Sequence, residues 1–111
     1  MPCIFCQIVA DEIPSTRVLE TEDLIAFHDI HAQAPTHVLV VPRRHLASLD
    51  ELDEPALGGA LLAAAAQVAR DAGLTSGWRL IANTGDHGGQ EVDHLHFHVL
   101  GGRALGRMLP G

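Results

Sequence analysis

The sequence has no lysine, and its seven arginines are scattered except for Arg43-Arg44. With 14 acidic residues the formal charge is −7, which repels polyanions at long range and argues against a nucleic-acid partner. A single nucleotide remains compatible with this balance, because a few backbone N–H groups and histidines can hold one phosphate. Long apolar runs are missing as well. None reaches the roughly 18 residues needed to span a bilayer, and Leu61-Leu-Ala-Ala-Ala-Ala66 is far too short. No basic segment leads into a hydrophobic stretch near the start, so no secretory signal is read there. Cysteine is limited to Cys3 and Cys6. A disulfide across that spacing is strained, and no other cysteine offers a partner. The pair is a redox couple, half of a metal site, or two idle thiols. Repeats and low-complexity linkers are also absent. The expectation is a soluble, cytoplasmic protein that binds neither membrane nor nucleic acid.

What is present suits one domain over residues 1–111, with 47% apolar residues to build a single core. Ile4 to Val9 reads as a short helical or irregular entry, stopped before Ile13-Pro14. Arg17–Glu20 and Leu24–His28 look like two arms of a hairpin around Thr21-Glu-Asp23. His37–Val41, ended by Pro42, is a β-branched run typical of a central strand. The period then changes. From Asp53 as N-cap, with Pro55 in the first turn, Leu57, Leu61, Ala64 and Val68 recur at helical spacing. Gly73 is a natural stop. Trp78–Ala82 predicts another strand, Gly85–Gln90 a glycine-rich loop, and His94–Leu100 a last strand closed by Gly101-Gly102. The expected class is α+β, an antiparallel sheet with one main helix packed on it.

The last strand carries the chemistry. Residues alternate along it as His94, Leu95, His96, Phe97, His98, Val99. Side chains on a strand point to opposite faces with period two, so Leu95, Phe97 and Val99 meet the helix while the three histidines share the other face. Histidine has no strand preference that would place three of them in this way beside a glycine-rich loop. A row of imidazoles supports two chemistries. One is a catalytic zinc held by His94, His96 and His98. The other is nucleophilic and acid–base catalysis by imidazole near neutral pH.

His94-Leu-His96-Phe-His98-Val-Leu resembles the signature of the histidine-triad (HIT) family, and the Gly-Gly-Arg after it resembles that motif's end in the family's Hint branch. The likeness runs over nearly the whole chain. It includes Ile4-Phe5, Ile8, Ala26–Ile30, Ala34–Pro42, Ile81–Asn83 and Gly88-Gly-Gln90. The resemblance implies a five-stranded antiparallel sheet per subunit, with two sheets joined in a homodimer. It also implies hydrolysis of purine nucleoside 5′-phosphoramidates through a nucleotidyl-histidine intermediate. Dinucleoside polyphosphate hydrolysis is the neighbouring activity. On this likeness His96 is the nucleophile, and His98 contacts the phosphate and assists the leaving group. His37 joins a relay with the first triad histidine. Asp29 resembles a ribose-binding carboxylate, while Phe5, Ile8, Phe27 and Ile30 resemble an apolar base pocket. Asn83, Gly89, Gln90 and the following N–H groups, Glu91 among them, resemble the surroundings of the phosphate. Relatives with a Cys-x-x-Cys pair bind structural zinc, which implies Cys3, Cys6, His45 and His94 as ligands here. His28, His31 and His87 keep surface or loop roles.

The chain departs from the pattern in two places. Glu91 stands where the Hint branch commonly has a serine that donates toward the leaving group, and a carboxylate there repels phosphate unless turned away. The tail, Arg107–Gly111, is short and lacks the tryptophan often found at that end. Leaving-group and substrate selectivity therefore do not carry over.

Overall fold

The computed structural model describes residues 3–109. Five strands form one antiparallel sheet: β1 (Arg17–Glu20), β2 (Leu24–His28), β3 (Thr36–Pro42), β4 (Trp78–Ile81) and β5 (Phe97–Gly101), in the order β1-β2-β3-β5-β4. The helices are α1 (Ile4–Val9) and α2 (Pro55–Asp71), with a single 3₁₀ turn at Leu49–Glu51. Among the described residues no helix is long and apolar enough to cross a membrane.

The sheet is covered on both faces, which explains why β2 and β3 read as continuous apolar runs. Leu24, Ala26, Val38 and Val40 pack with Leu61, Ala65 and Val68 of α2. The neighbours of opposite parity, Ile25, Phe27, Leu39 and Val41, pack with Phe5 and Ile8 of α1. Helix α2 runs where the apolar spacing predicts it, with Pro55 at its start, a position where proline loses no hydrogen bond. Its expected N-cap differs. Glu54, without a side-chain cap, occupies that place, and Asp53 instead pairs with Arg44 at 3.5 Å. Gly73 ends the helix at φ 73°. There the Leu74 N–H donates to Ala69 O and the Gly73 N–H to Arg70 O, the paired bonds of a glycine-terminated helix.

The β1–β2 hairpin forms as expected, its turn held by Thr21 Oγ1 accepting from the N–H groups of Asp23 and Leu24. β4 stops at Ile81, one residue short of the expected end, and the histidine strand is shorter too. Regular pairing begins only at Phe97, because the Leu95 N–H donates at 2.7 Å to the Leu46 carbonyl, outside the sheet ladder. The alternation survives nonetheless: Leu95, Phe97 and Val99 lie in the core facing α2.

Candidate active site

On the α1 face a cleft of about 520 Å³ opens over the sheet. Phe5, Ile8, Phe27 and Leu39 supply its apolar wall, while His37, His96 and His98 bring ring nitrogens to it. The Phe5 ring meets His96 edge-on, with centroids 5.2 Å apart. Helix α1 thus supplies apolar cover and at the same time packs against the middle histidine.

Hydrogen bonds assign each tautomer. His96 Nδ1 lies 2.7 Å from the His94 carbonyl; a carbonyl only accepts, so Nδ1 carries the proton and the Nε2 lone pair is free. The Gln33 N–H donates to His37 Nδ1 at 3.0 Å, so His37 holds its proton on Nε2 and donates it to His98 Nδ1, 2.8 Å away. His98 therefore presents Nε2–H. One nucleophilic nitrogen and one N–H donor stand on neighbouring rings whose centroids are 5.0 Å apart. Burial, reinforced by His96 and His37, lowers the His98 pKa from 6.5 to about 4, with Asp29 acting the other way. Burial likewise lowers that of His37 against the pull of Asp29.

The three triad histidines do not converge on one point. His94, wholly buried, donates Nε2–H to the Pro42 carbonyl at 2.9 Å. Its Nδ1 lone pair faces Cys3 Sγ at 3.3 Å, Cys6 Sγ at 3.6 Å and His45 Nδ1 at 3.2 Å. These four residues each offer a ligand atom within 4.8 Å of the others, a group that could hold a metal ion. Burial lowers the His94 pKa, and burial with the neighbouring Cys3 raises that of Cys6. The expected relay between His37 and the first triad histidine is thus replaced: His37 pairs with the third, His98. Register explains this, since Leu39 lies opposite His98 and His37 opposite Leu100, on the same face of adjacent strands. A catalytic metal held by His94, His96 and His98 together is at odds with this division of the rings.

Other expected residues are placed as follows. Asp29, Asn83, Gly89 and Glu91 line the cleft, and Glu91 is exposed. Ile30 reaches the cleft but is 89% exposed, so it belongs to the rim rather than to an apolar pocket wall. Gln90 turns away from the cleft. Its amide donates to the carbonyls of Ala47 and Val92, and its Oε1 accepts the Gly85 N–H. The N–H groups of Gly89 and Gln90 are consumed within the turn by Asp86 O and Gly85 O. The N–H groups of Glu91 and Val92, which follow, find no acceptor among the described residues. Sequence reasoning missed Leu39, Ser15 and Gln33 at the cleft. It also gave no cleft role to His28 and His31, which border it as well; His87 is exposed. Parity with His37 could have found Leu39, but nothing local marks Gln33. The tail's last two residues, Pro110 and Gly111, lie outside the described residues.

Fold and site together define a protein that keeps an unprotonated imidazole nitrogen beside a cleft with one apolar wall. The HIT domain family matches residues 10–105, and the chain belongs to that family. It is 46% identical over 110 residues to the purine nucleoside phosphoramidase of Escherichia coli strain K12, covering 96% of this chain and 92% of that protein. It is 45% identical over 111 residues to a 13.2 kDa HIT-like protein of Azospirillum brasilense, covering 96% and 90%. Among solved structures, a HIT family hydrolase from Legionella pneumophila superposes with a TM-score of 0.93 at 42% identity, covering 99% and 100% of the two chains. One from Clostridium thermocellum gives 0.92 at 43%, covering 96% of each. The chain is a homologue of a purine nucleoside phosphoramidase.

Proposed function

We propose that this protein hydrolyses purine nucleoside 5′-phosphoramidates, with His96 as nucleophile. The observation that carries the reading is the His96 ring, pinned through Nδ1 to its own backbone with Nε2 free beside the cleft. A fixed tautomer keeps the nucleophilic lone pair where phosphorus must arrive. In the first step the Nε2 pair bonds to phosphorus and the phosphorus–nitrogen bond breaks. Its electron pair stays on the departing amine, which takes a proton from His98 Nε2–H. In the second step water attacks phosphorus, the N–P bond to His96 breaks, its pair returns to Nε2, and the water's proton goes to His98. The Glu91 and Val92 N–H groups suit the phosphoryl oxygens. Asp29 suits the ribose hydroxyls, and Phe5, Ile8 and Phe27 suit the base. Asn83 fixes the loop by donating to the Gly88 carbonyl at 2.7 Å. Mass spectrometry of protein quenched during turnover tests this: one nucleotidyl group on His96 is expected, and an unmodified His96 under steady turnover rejects the mechanism.

The Cys3, Cys6, His45 and His94 cluster fits a structural zinc ion. Two thiols and two imidazoles are the donor set of closed tetrahedral zinc, with bonds of about 2.0–2.3 Å that agree with ligand atoms 3.2–3.6 Å apart. The Pro42 carbonyl fixes His94 in the tautomer that leaves Nδ1 for metal. When bound, zinc supplies a cross-link between α1 and the histidine segment, with no part in the chemistry at His96. Reduced thiols of this kind suit the cytoplasm. A homodimer is supported by the open edge of β4, where Trp78 is 39% exposed; an unpaired edge of this sort is commonly covered by a partner.

A further inference from the structure

Asp29 follows directly on β2 and turns its carboxylate over β3. Oδ1 accepts the His31 N–H at 2.8 Å, and Oδ2 lies 3.4 Å from His37 Nε2. The Asp29 N–H donates to the His37 carbonyl at 3.0 Å, which ties the two residues together through the backbone. Asp29, His37 and His98 each bring an oxygen or ring nitrogen within 4.8 Å of the others.

This placement bears on a difficulty in the chemistry. An amine leaves as the neutral molecule only if it receives a proton as the bond breaks. A neutral His98 that gave up Nε2–H would become an imidazolate. His98 therefore has to carry a second proton, on Nδ1, before it donates. His37 cannot accept that Nδ1–H: its own proton is already on Nε2, and the Gln33 N–H occupies Nδ1. The nearest carboxylate is that of Asp29, 3.4 Å from His37 Nε2 and within 4.8 Å of a His98 ring nitrogen.

We propose that Asp29 is a positioning residue for the leaving-group proton: its carboxylate, beside His37, holds the imidazolium form of His98 that protonates the departing nitrogen. This rests on the phosphoramidase reading above. A solvent proton enters at His98 Nδ1, and that N–H and the His37 Nε2–H both turn from each other to the Asp29 carboxylate. His98 Nε2–H then passes to the amine while the bond's electron pair stays with nitrogen, and water restores that proton in the second step. Of the groups in contact with His98, the other imidazoles oppose the charge and the strand neighbours are neutral. His37 on β3 and His96 on its own segment disfavour it, and the paired residues Leu39 and Ile81 are apolar. Glu91, His28 and His31 also border the cleft. An anionic phosphoryl group entering it adds to the pull of Asp29.

Leaving-group chemistry separates this role from sugar binding. The full-length wild-type protein and Asp29→Asn are compared on an adenosine 5′-phosphoramidate of an alkylamine, which needs a proton, and on adenosine 5′-(p-nitrophenyl phosphate), which does not. The measurement is the single-turnover rate of His96 nucleotidylation at saturating substrate. A shared rise in KM is expected from lost sugar contacts. The amine-to-aryl rate ratio should fall about tenfold or more, within the range of general acid catalysis. The alkaline limb of the amine rate should move to lower pH, with partial recovery in Asp29→Glu. Equal losses on both substrates, or an effect confined to KM with an unmoved pH profile, would overturn the proposal. If Asp29→Asn does not fold, His37→Gln poses the same question, because it removes the ring between carboxylate and acid; an unchanged ratio there rejects the relay. Absence of nucleotidyl-His96 in the wild-type protein sinks the hydrolase reading itself, and this inference with it.

Discussion

His96 donates its Nδ1–H to the carbonyl of His94, two residues back along the same segment, at 2.7 Å. One backbone oxygen thus decides which nitrogen of the nucleophile is free. Replacing His96 by alanine removes the nitrogen that bonds to phosphorus and leaves the cleft otherwise intact. Turnover of a phosphoramidate should fall by roughly a thousandfold or more, while affinity for adenosine 5′-monophosphate changes little. Steady-state kinetics and calorimetry check the two halves, and a variant with most of its activity left refutes the assignment.

The same segment serves the cysteine cluster. Cys3 caps α1 and Cys6 lies within it, while Phe5 and Ile8 of that helix wall the cleft. Stripping metal, or replacing Cys6 by serine, should therefore lower Tm by roughly 10 °C, as a loss of about 2 kcal/mol does in a domain of this size. Nucleotide affinity should weaken with it, because α1 loses its anchor. Elemental analysis of purified wild-type protein should give one zinc per chain, and Cys6→Ser should lose it while His96→Ala keeps it. The opposite pattern favours a metal at the triad.

Stability should also depend on pH through His98. Its pKa is lowered from 6.5 to about 4 in the folded protein, chiefly by burial. The unfolded chain then takes up a proton below about 6.5 that the folded chain refuses until about 4. This contribution is fully present above 6.5 and is lost as pH falls from 6.5 to about 4. His37 and His94 are displaced in the same direction. Tm should decline across that window, and His98→Asn should decline less steeply. Parallel slopes in the two proteins contradict this account.

Where local pattern and tertiary contact agree, the sequence was sufficient. The α2 stripe, the β1–β2 hairpin and the parity of Leu95, Phe97 and Val99 all follow from period and turn chemistry. Spacing alone left the cysteine pair open, and the grouping with His45 and His94 came from resemblance. The losses have a common cause. Pairing of His37 with His98 depends on the register between β3 and β5, which no local signal encodes. The irregular backbone at His94–His96 depends on the distant Leu46 carbonyl. Gln90 is drawn off the cleft by Ala47 and Val92. Apart from the short Gln90–Val92 bond, each is a non-local hydrogen bond, invisible to periodicity.

The glycine-rich loop offers a last test, because one of its glycines is required by close approach rather than by conformation. A Cβ on Gly88 would lie 2.3 Å from the Thr84 carbonyl oxygen, a backbone atom that cannot swing aside. Gly88→Ala must therefore open the turn that the Gln90 N–H closes on Gly85 O and that Asn83 braces through the Gly88 carbonyl. The N–H groups of Glu91 and Val92, proposed above as donors to the phosphoryl oxygens, follow that turn directly and shift with it. KM should rise about tenfold, equivalent to about 1.4 kcal/mol, with faster amide exchange over residues 84–92. The core around α2 lies on the other sheet face and should keep its protection. A variant with normal KM would show that the phosphate is held by side chains and not by this loop.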